Sequence, residues 1–212
     1  MIKVLLADDH AVVRQGLKLL LEQAGYKIIA EAESGERTVM LWQEHHPDIG
    51  LLDLDMAGIG GLEALQRILA RDAHAKILIF SMHDDVIYAS RAIQAGARGY
   101  VLKTDAPESI LEAIEQVIRG GRYIAHELAQ HLALDRFSHQ EKPLEKLSPR
   151  EFEVFRRIAE GESLSDISKH LHIGYKTAAN IQTQVRQKLS VQTTGQLVHV
   201  AIRYGIIEKG SK

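Results

Sequence analysis

The sequence predicts an α/β protein, a doubly wound five-stranded parallel sheet followed by a small all-α domain of four helices. Three observations carry this reading. Short apolar runs alternate with amphipathic segments up to about residue 120, strand signals disappear beyond that point, and the balance of charge reverses between the two parts.

The apolar runs are Val4–Ala7, Ile28–Ala30, Ile49–Leu52, Ile77–Phe80 and Tyr100–Leu102. Between and after them, Val12-Val13-Leu17-Leu20-Leu21, Leu62-Leu65-Ile68-Leu69 and Ile110-Leu111-Ile114-Val117-Ile118 recur at helical spacing. Strands alternating with helices imply βα units and a parallel sheet with helices on both faces. Runs that are apolar throughout, instead of alternating with polar residues, fit strands buried on both sides. After Gly120-Gly121 the pattern changes. His126–Leu134 predicts a short helix, and Arg136–Lys142 is a polar stretch ending at Pro143, read as a linker. The expected division is therefore 1–122, a linker with its short helix over 123–143, and a second domain over 144–212. In that domain Ser148-Pro149-Arg150-Glu151 has the form of a capping box with proline at the first helical position, and Ser163-Leu164-Ser165-Asp166 repeats the signal more weakly. Helices are expected at about 149–160, 164–171, 175–189 and 193–205, with tight turns at Gly161 and Gly174.

At 212 residues, 45% hydrophobic and 25% charged, the composition is that of a soluble globular protein. Each part is long enough to bury a core of its own. The chain has no cysteine, which excludes a disulfide framework, a thiolate nucleophile and a cysteine-based zinc site. Met1–Ala7 is too short for a signal-peptide core, and no apolar run approaches the roughly 18–20 residues of a membrane span. A cytoplasmic protein without a membrane partner is expected. The net charge of -2 hides an asymmetry. Residues 1–125 hold 13 basic and 18 acidic side chains, whereas residues 126–212 hold 13 and 10, which suggests a polyanionic partner for the C-terminal part. Among the 11 histidines, the pairs His45 and His46, His126 and His131, and His170 and His172 lack zinc-ligand spacing and read as surface or helix residues.

In doubly wound sheets, function collects at the carboxyl ends of the strands. Here Val4–Ala7 runs into Asp8-Asp9, Ile49–Leu52 into Asp53, Ile77–Phe80 into Ser81, and Tyr100–Leu102 into Lys103. Parallel strands bring those carboxylates, the hydroxyl and the ammonium to one edge. Crowded carboxylates repel, and oxygen-only ligands without histidine or thiolate favour Mg²⁺. The set suggests phosphoryl transfer to an aspartate, with Mg²⁺ and Lys103 offsetting charge on the transferring group and Ser81 bonding the product.

The stretches Val4–His10, Pro47–Met56 and Gly96–Lys103 resemble receiver domains, and the whole chain resembles the NarL/FixJ family of two-component response regulators. The resemblance implies a flavodoxin-like receiver in which Asp53 accepts the phosphoryl group from a sensor histidine kinase. Asp8, Asp9, Asp53 and the backbone carbonyl of Asp55 would hold Mg²⁺, Ser81 and Tyr100 occupy the switch positions, and Lys103 contacts the phosphate. The expected switch moves Ser81 toward the phosphate while Tyr100 rotates inward to fill the space. Where the family has proline and aspartate after the phosphorylation site, this chain has Ala57 and Gly60.

Leu147–Ile207 resembles the LuxR-type helix-turn-helix, through Leu147–Glu151, Ile158–Gly161, Ile167–Leu171, Lys176-Thr177, Leu189–Val191 and Leu197–Ala201. The resemblance makes 175–189 the recognition helix in the major groove of double-stranded DNA. Ala179, Asn180 and Thr183 fall where bases are read, and Lys176, Thr177, Gln184, Arg186 and Lys188 where phosphates are met. It also implies an active homodimer, with RNA polymerase a further candidate partner; Val198 and Ile202 either join the dimer or complete the small domain's core. One rival reading is an enzyme, because Asp53-Leu54-Asp55 also resembles the start of haloacid-dehalogenase phosphatases; that motif normally opens a chain, and it leaves the helix-turn-helix without a purpose. A second rival is a regulator of this fold that binds DNA without phosphorylation.

Overall fold

The computed structural model describes residues 1–125, 128–130 and 143–207. The chain divides into two compact units, Met1–Arg136 and Phe137–Lys212. Among the described residues no helix is long and apolar enough to cross a membrane.

The first unit runs β1 (Lys3–Ala7), α1 (Ala11–Gln23), β2 (Lys27–Ala32), α2 (Gly35–His45), β3 (Ile49–Leu52), α3 (Gly60–Leu69), β4 (Ile77–Ser81), α4 (Val86–Gln94), β5 (Gly99–Leu102), α5 (Pro107–Ile118) and β6 (Tyr123–Ile124). The strands form one sheet in the order β2-β1-β3-β4-β5-β6, and every neighbouring pair is parallel. The sheet thus has six strands, not the expected five. The extra strand pairs Gly99 with Tyr123 and Tyr100 with Ile124, beyond the expected boundary at residue 122. Two residues are too few to show a hydrophobic period, and the signal that creates this strand is the neighbouring edge of β5.

Successive strand residues point to opposite faces. Val4, Leu6, Ile49, Leu51, Leu78, Phe80 and Val101 form one buried cluster with Leu17 and Leu21 of α1 and Ile110, Ala113, Ile114 and Val117 of α5. Each large apolar side chain fully buried there contributes about 1.5–3 kcal/mol, so this layer, repeated on the other face, sets the register of the strand ends. The loop after β3 is held without the family's proline. Ala57 bridges to Ser34, and Gly61 packs so closely on the Asp53 carbonyl that any side chain there would collide with it.

The second unit begins with a 3₁₀ turn at Pro143–Lys146 and continues as α6 (Pro149–Ala159), α7 (Leu164–His170), α8 (Tyr175–Lys188) and α9 (Thr194–Arg203). The expected capping box is present, since Ser148 accepts from the Glu151 N–H while the Glu151 carboxylate accepts from the Ser148 N–H. Ser163 and Thr193 cap α7 and α9 through their side chains. Phe152, Phe155, Ile167, Leu171, Ala178, Val185, Leu197 and Ala201 fill the core. Of the short helix expected over 126–134, Leu128, Ala129 and Gln130 are helical and the rest lies outside the described residues, as does the stretch 136–142.

Candidate functional site

Register brings the strand ends together. Ala7 pairs with Leu52 and Ser81 with Leu102, so the next residues in β1, β3 and β5 are Asp8, Asp53 and Lys103 at one edge. Backbone bonds carry the ladder past the strands. The Asp53 N–H donates to the Ala7 carbonyl at 2.8 Å, and the Lys103 N–H donates to that of Ser81 at 2.8 Å.

Lys103 Nζ lies 2.7 Å from Asp8 Oδ2 and 2.7 Å from Asp53 Oδ2. Both aspartates are 2% exposed. The second oxygen of Asp53, Oδ1, is buried and has no hydrogen-bond partner. Burial pushes the Asp53 pKa up to about 6; Lys103 opposes that rise, while Asp8 and Asp55 add to it. Burial alone would lower the Lys103 pKa, but Asp53 and Asp8 outweigh it and hold the ammonium charged. One cation shared by two buried carboxylates leaves net negative charge in a dry site, which is the condition for binding a further cation.

Ligand atoms of Asp8, Asp9, His10 and Asp53 all lie within 4.8 Å of one another, a spacing that suits one ion. Asp9 sits on the rim of this group. Asp55 stands apart from it, its carboxylate 2.8 Å from His83 Nε2. Only the Asp55 carbonyl was implicated by the resemblance, and its side chain takes that pairing. His10 was not among the expected site residues, although its place directly after Asp8-Asp9 is the signal that finds it.

Ser81 is buried at the end of β4, and its Oγ accepts from the His83 N–H at 3.2 Å. Tyr100 is already inward and fully buried, with its hydroxyl donating to the His83 carbonyl at 2.8 Å. Burial pushes the Tyr100 phenol well up, so it stays a neutral donor. The inward rotation expected of Tyr100 has therefore no distance to travel from this conformation. His83, unforeseen in the sequence, contacts both switch residues and stacks on Tyr88 of α4 with ring centroids 4.0 Å apart.

In the second unit, Ala178 and Val185 turn one side of α8 into the core. At 100° per residue, Lys176, Asn180 and Thr183 align on the opposite side, and all three are exposed. Thr177 and Gln184 are exposed on the flank, and Ala179 is half-buried. Arg186 and Lys188 are differently employed. Arg186 donates to Thr194 Oγ1 at 2.8 Å, and Lys188 donates to Glu151 Oε2 at 2.6 Å. Tyr175, 60% exposed in the first turn, also stands on this face's approach and was not anticipated. On α9, Leu197 and Ala201 serve the core while Val198 and Ile202 are half-buried.

Residues 4–115 match the response regulator receiver domain, and residues 145–201 match the luxR family of bacterial regulatory proteins. The chain is 37% identical to response regulator UvrY of Escherichia coli strain K12 over 97% of its length and 96% of that protein. It is 36% identical to response regulator GacA of Pseudomonas aeruginosa over the full length of both. Among solved structures, a LuxR-family two-component response regulator from Aurantimonas aligns over 65% of this chain and 99% of that one, at 39% identity and a TM-score of 0.62. The Salmonella typhimurium response regulator RcsB aligns over 94% of this chain and 96% of that one, at 25% identity and a TM-score of 0.69. These likenesses remove the phosphatase reading, since they span both units and the relatives are regulators. The chain belongs to the response regulators, with a receiver domain followed by a LuxR-type DNA-binding domain.

Proposed function

We propose that Asp53 is the phosphoacceptor and that its phosphorylation controls dimerisation and sequence-specific DNA binding through α8. The observation that carries this reading is the Lys103 ammonium set between Asp8 and Asp53 while Asp53 Oδ1 has no partner. That oxygen, as a carboxylate, attacks the phosphorus of a sensor kinase's phosphohistidine; the P–N bond breaks and the imidazole leaves with its electron pair. Lys103 keeps its contact to Asp53 Oδ2 and faces the incoming phosphoryl oxygens. Asp8, Asp9 and Asp53, with the Asp55 carbonyl, are the residues to hold Mg²⁺, and the close spacing of the three carboxylates supports that fit. Bound there, Mg²⁺ supplies charge neutralisation for the phosphoryl oxygens.

Ser81 donates a hydrogen bond from its hydroxyl to the phosphoryl group. Because Tyr100 is already inward on the His83 carbonyl, phosphorylation fixes this arrangement and does not create it. On DNA, Asn180 reads an adenine edge, Ala179 and Thr183 meet thymine methyls, and Lys176, Thr177 and Gln184 meet phosphates. Arg186 and Lys188 reach phosphates only by leaving Thr194 and Glu151, so their first role is to seat α8. The active form is a homodimer through Val198 and Ile202, acting in the cytoplasm with RNA polymerase. The working domains are the first, extended from 1–122 to 1–124 by the β6 edge, and 144–212, about a linker over the residues between. Acetyl phosphate with Mg²⁺ should add one phosphoryl group per chain and raise the dimer fraction in light scattering. Equal labelling of Asp53→Asn would overturn the assignment.

A further inference from the structure

The acidic edge of the first unit contains a nitrogen donor. His10 Nδ1 lies 2.8 Å from Asp9 Oδ1 and 3.4 Å from Asp8 Oδ1, and the His10 N–H donates to Asp8 Oδ1 at 2.8 Å. Backbone and ring are thus both tied to the cluster. His10 is the N-cap position of α1 but makes no side-chain cap bond, so its imidazole has no helix-ending duty. It is 66% exposed at the mouth of the group, while Asp8 and Asp53 are buried beneath it.

The oxygens divide cleanly. Lys103 takes Oδ2 of both Asp8 and Asp53. Not engaged by Lys103 are the buried Asp53 Oδ1, the Asp9 carboxylate and the His10 ring. Two atoms bound to one ion at about 2.0–2.2 Å stand no more than about 4.4 Å apart, so a set within 4.8 Å closes on an ion with shifts of a few tenths of an ångström. It is the only such group of three or more potential ligands among the described residues.

Carboxylates alone suit Mg²⁺, but one imidazole changes the ranking. Mg²⁺ gains little from nitrogen and dehydrates reluctantly, whereas Mn²⁺, Co²⁺ and Zn²⁺ take imidazole readily and rise in affinity along that series toward later metals. We propose that His10 Nδ1 is a further ligand of the receiver's cation site, so that this site holds imidazole-accepting first-row divalent ions more tightly than Mg²⁺. The inference rests on the cation site proposed at Asp8, Asp9 and Asp53. It makes the response regulator's phosphoryl chemistry sensitive to which divalent ion is available.

The test is calorimetric titration of the full-length chain with Co²⁺ and with Mg²⁺, for the wild type, His10→Ala and Asp53→Asn. His10→Ala should weaken Co²⁺ binding about tenfold or more while changing Mg²⁺ binding less than about threefold. Bound Mn²⁺ should show imidazole-nitrogen modulation in pulsed electron paramagnetic resonance in the wild type and lose it in His10→Ala. Equal losses for Co²⁺ and Mg²⁺ without nitrogen modulation would mean that His10 only orients Asp9, and no loss for either would mean that it takes no part; both overturn the proposal. If Asp53→Asn leaves Co²⁺ and Mg²⁺ binding unchanged, the failure lies with the cation site itself, and the His10 proposal falls with it.

Discussion

The two candidate sites of this regulator are built on opposite plans. The edge of the first unit buries its charges, with Asp8 and Asp53 each 2% exposed and the Lys103 ammonium 2.7 Å from both. The candidate reading face of α8 leaves Lys176, Asn180 and Thr183 to solvent, with Ala179 half-buried, while Ala178 and Val185 hold the helix down. A buried charged group must be answered by the protein's own side chains, so its partners are visible within the chain. An exposed reading face is answered by its ligand. One site therefore resists substitution through stability and chemistry, the other through affinity alone.

The sharpest break in that comparison is Asp53→Asn. Labelling by acetyl phosphate should fall to background in intact-mass spectrometry, while the DNA affinity of the unphosphorylated chain stays within about twofold, because the two sites belong to separate compact units. Next in size is Lys103→Ala, which leaves two buried carboxylates facing each other. Urea unfolding in the presence of a chelator should show a loss of about 3–5 kcal/mol, partly restored by Mg²⁺. An unchanged midpoint would mean that the lysine is not the counter-ion.

On the exposed side, Asn180→Ala should cost about 1–3 kcal/mol against the best DNA site, with no change in folding midpoint and little change on random sequence. Lys176→Ala should weaken binding to all sequences alike and reduce the salt slope by about 1. Loss of thermal stability in either variant would contradict the placement of these side chains in solvent. The smallest effect belongs to Glu151. Burial would raise its pKa, but Lys188 and the Ser148 N–H outweigh that and hold it below the ordinary value. A carboxyl with a depressed folded pKa contributes stability that is fully present above its ordinary value of 4.5 and is lost as pH falls through the lower folded one. Glu151→Gln should remove that acid dependence of the second unit's melting and cost about 1 kcal/mol or less at neutral pH.

The first site was legible because four strands each end on a residue with chemistry. Strand periodicity alone places Asp8, Asp53, Ser81 and Lys103 at one edge. Asp55 was legible only as a carbonyl, and its carboxylate pairs with His83, a residue with no strand pattern to announce it. The second site was legible as a helix, through the turns around α8, in a domain announced by the capping box of Ser148 and Glu151 at α6, but its candidate reading face was less so. Arg186 and Lys188 look like phosphate ligands in the sequence. Only their neighbours Thr194 and Glu151, eight and thirty-seven residues away, give them inward duties. β6 was missed because two residues carry no period.

The sequence by itself determined the alternation of strands and helices, the caps of α6 and α7, and the set of residues at the sheet's edge. These depend on hydrophobic period and on bonds between residues three or four apart, which are written locally. Tertiary structure decided the rest: which Asp53 oxygen Lys103 covers and which it leaves without a partner, that Tyr100 already lies inward on the His83 carbonyl, and that His10 joins the acidic group. Such choices are fixed by side chains far apart in the chain competing for the same few oxygens in a space closed to water, where each unmade hydrogen bond costs more than any local preference can repay.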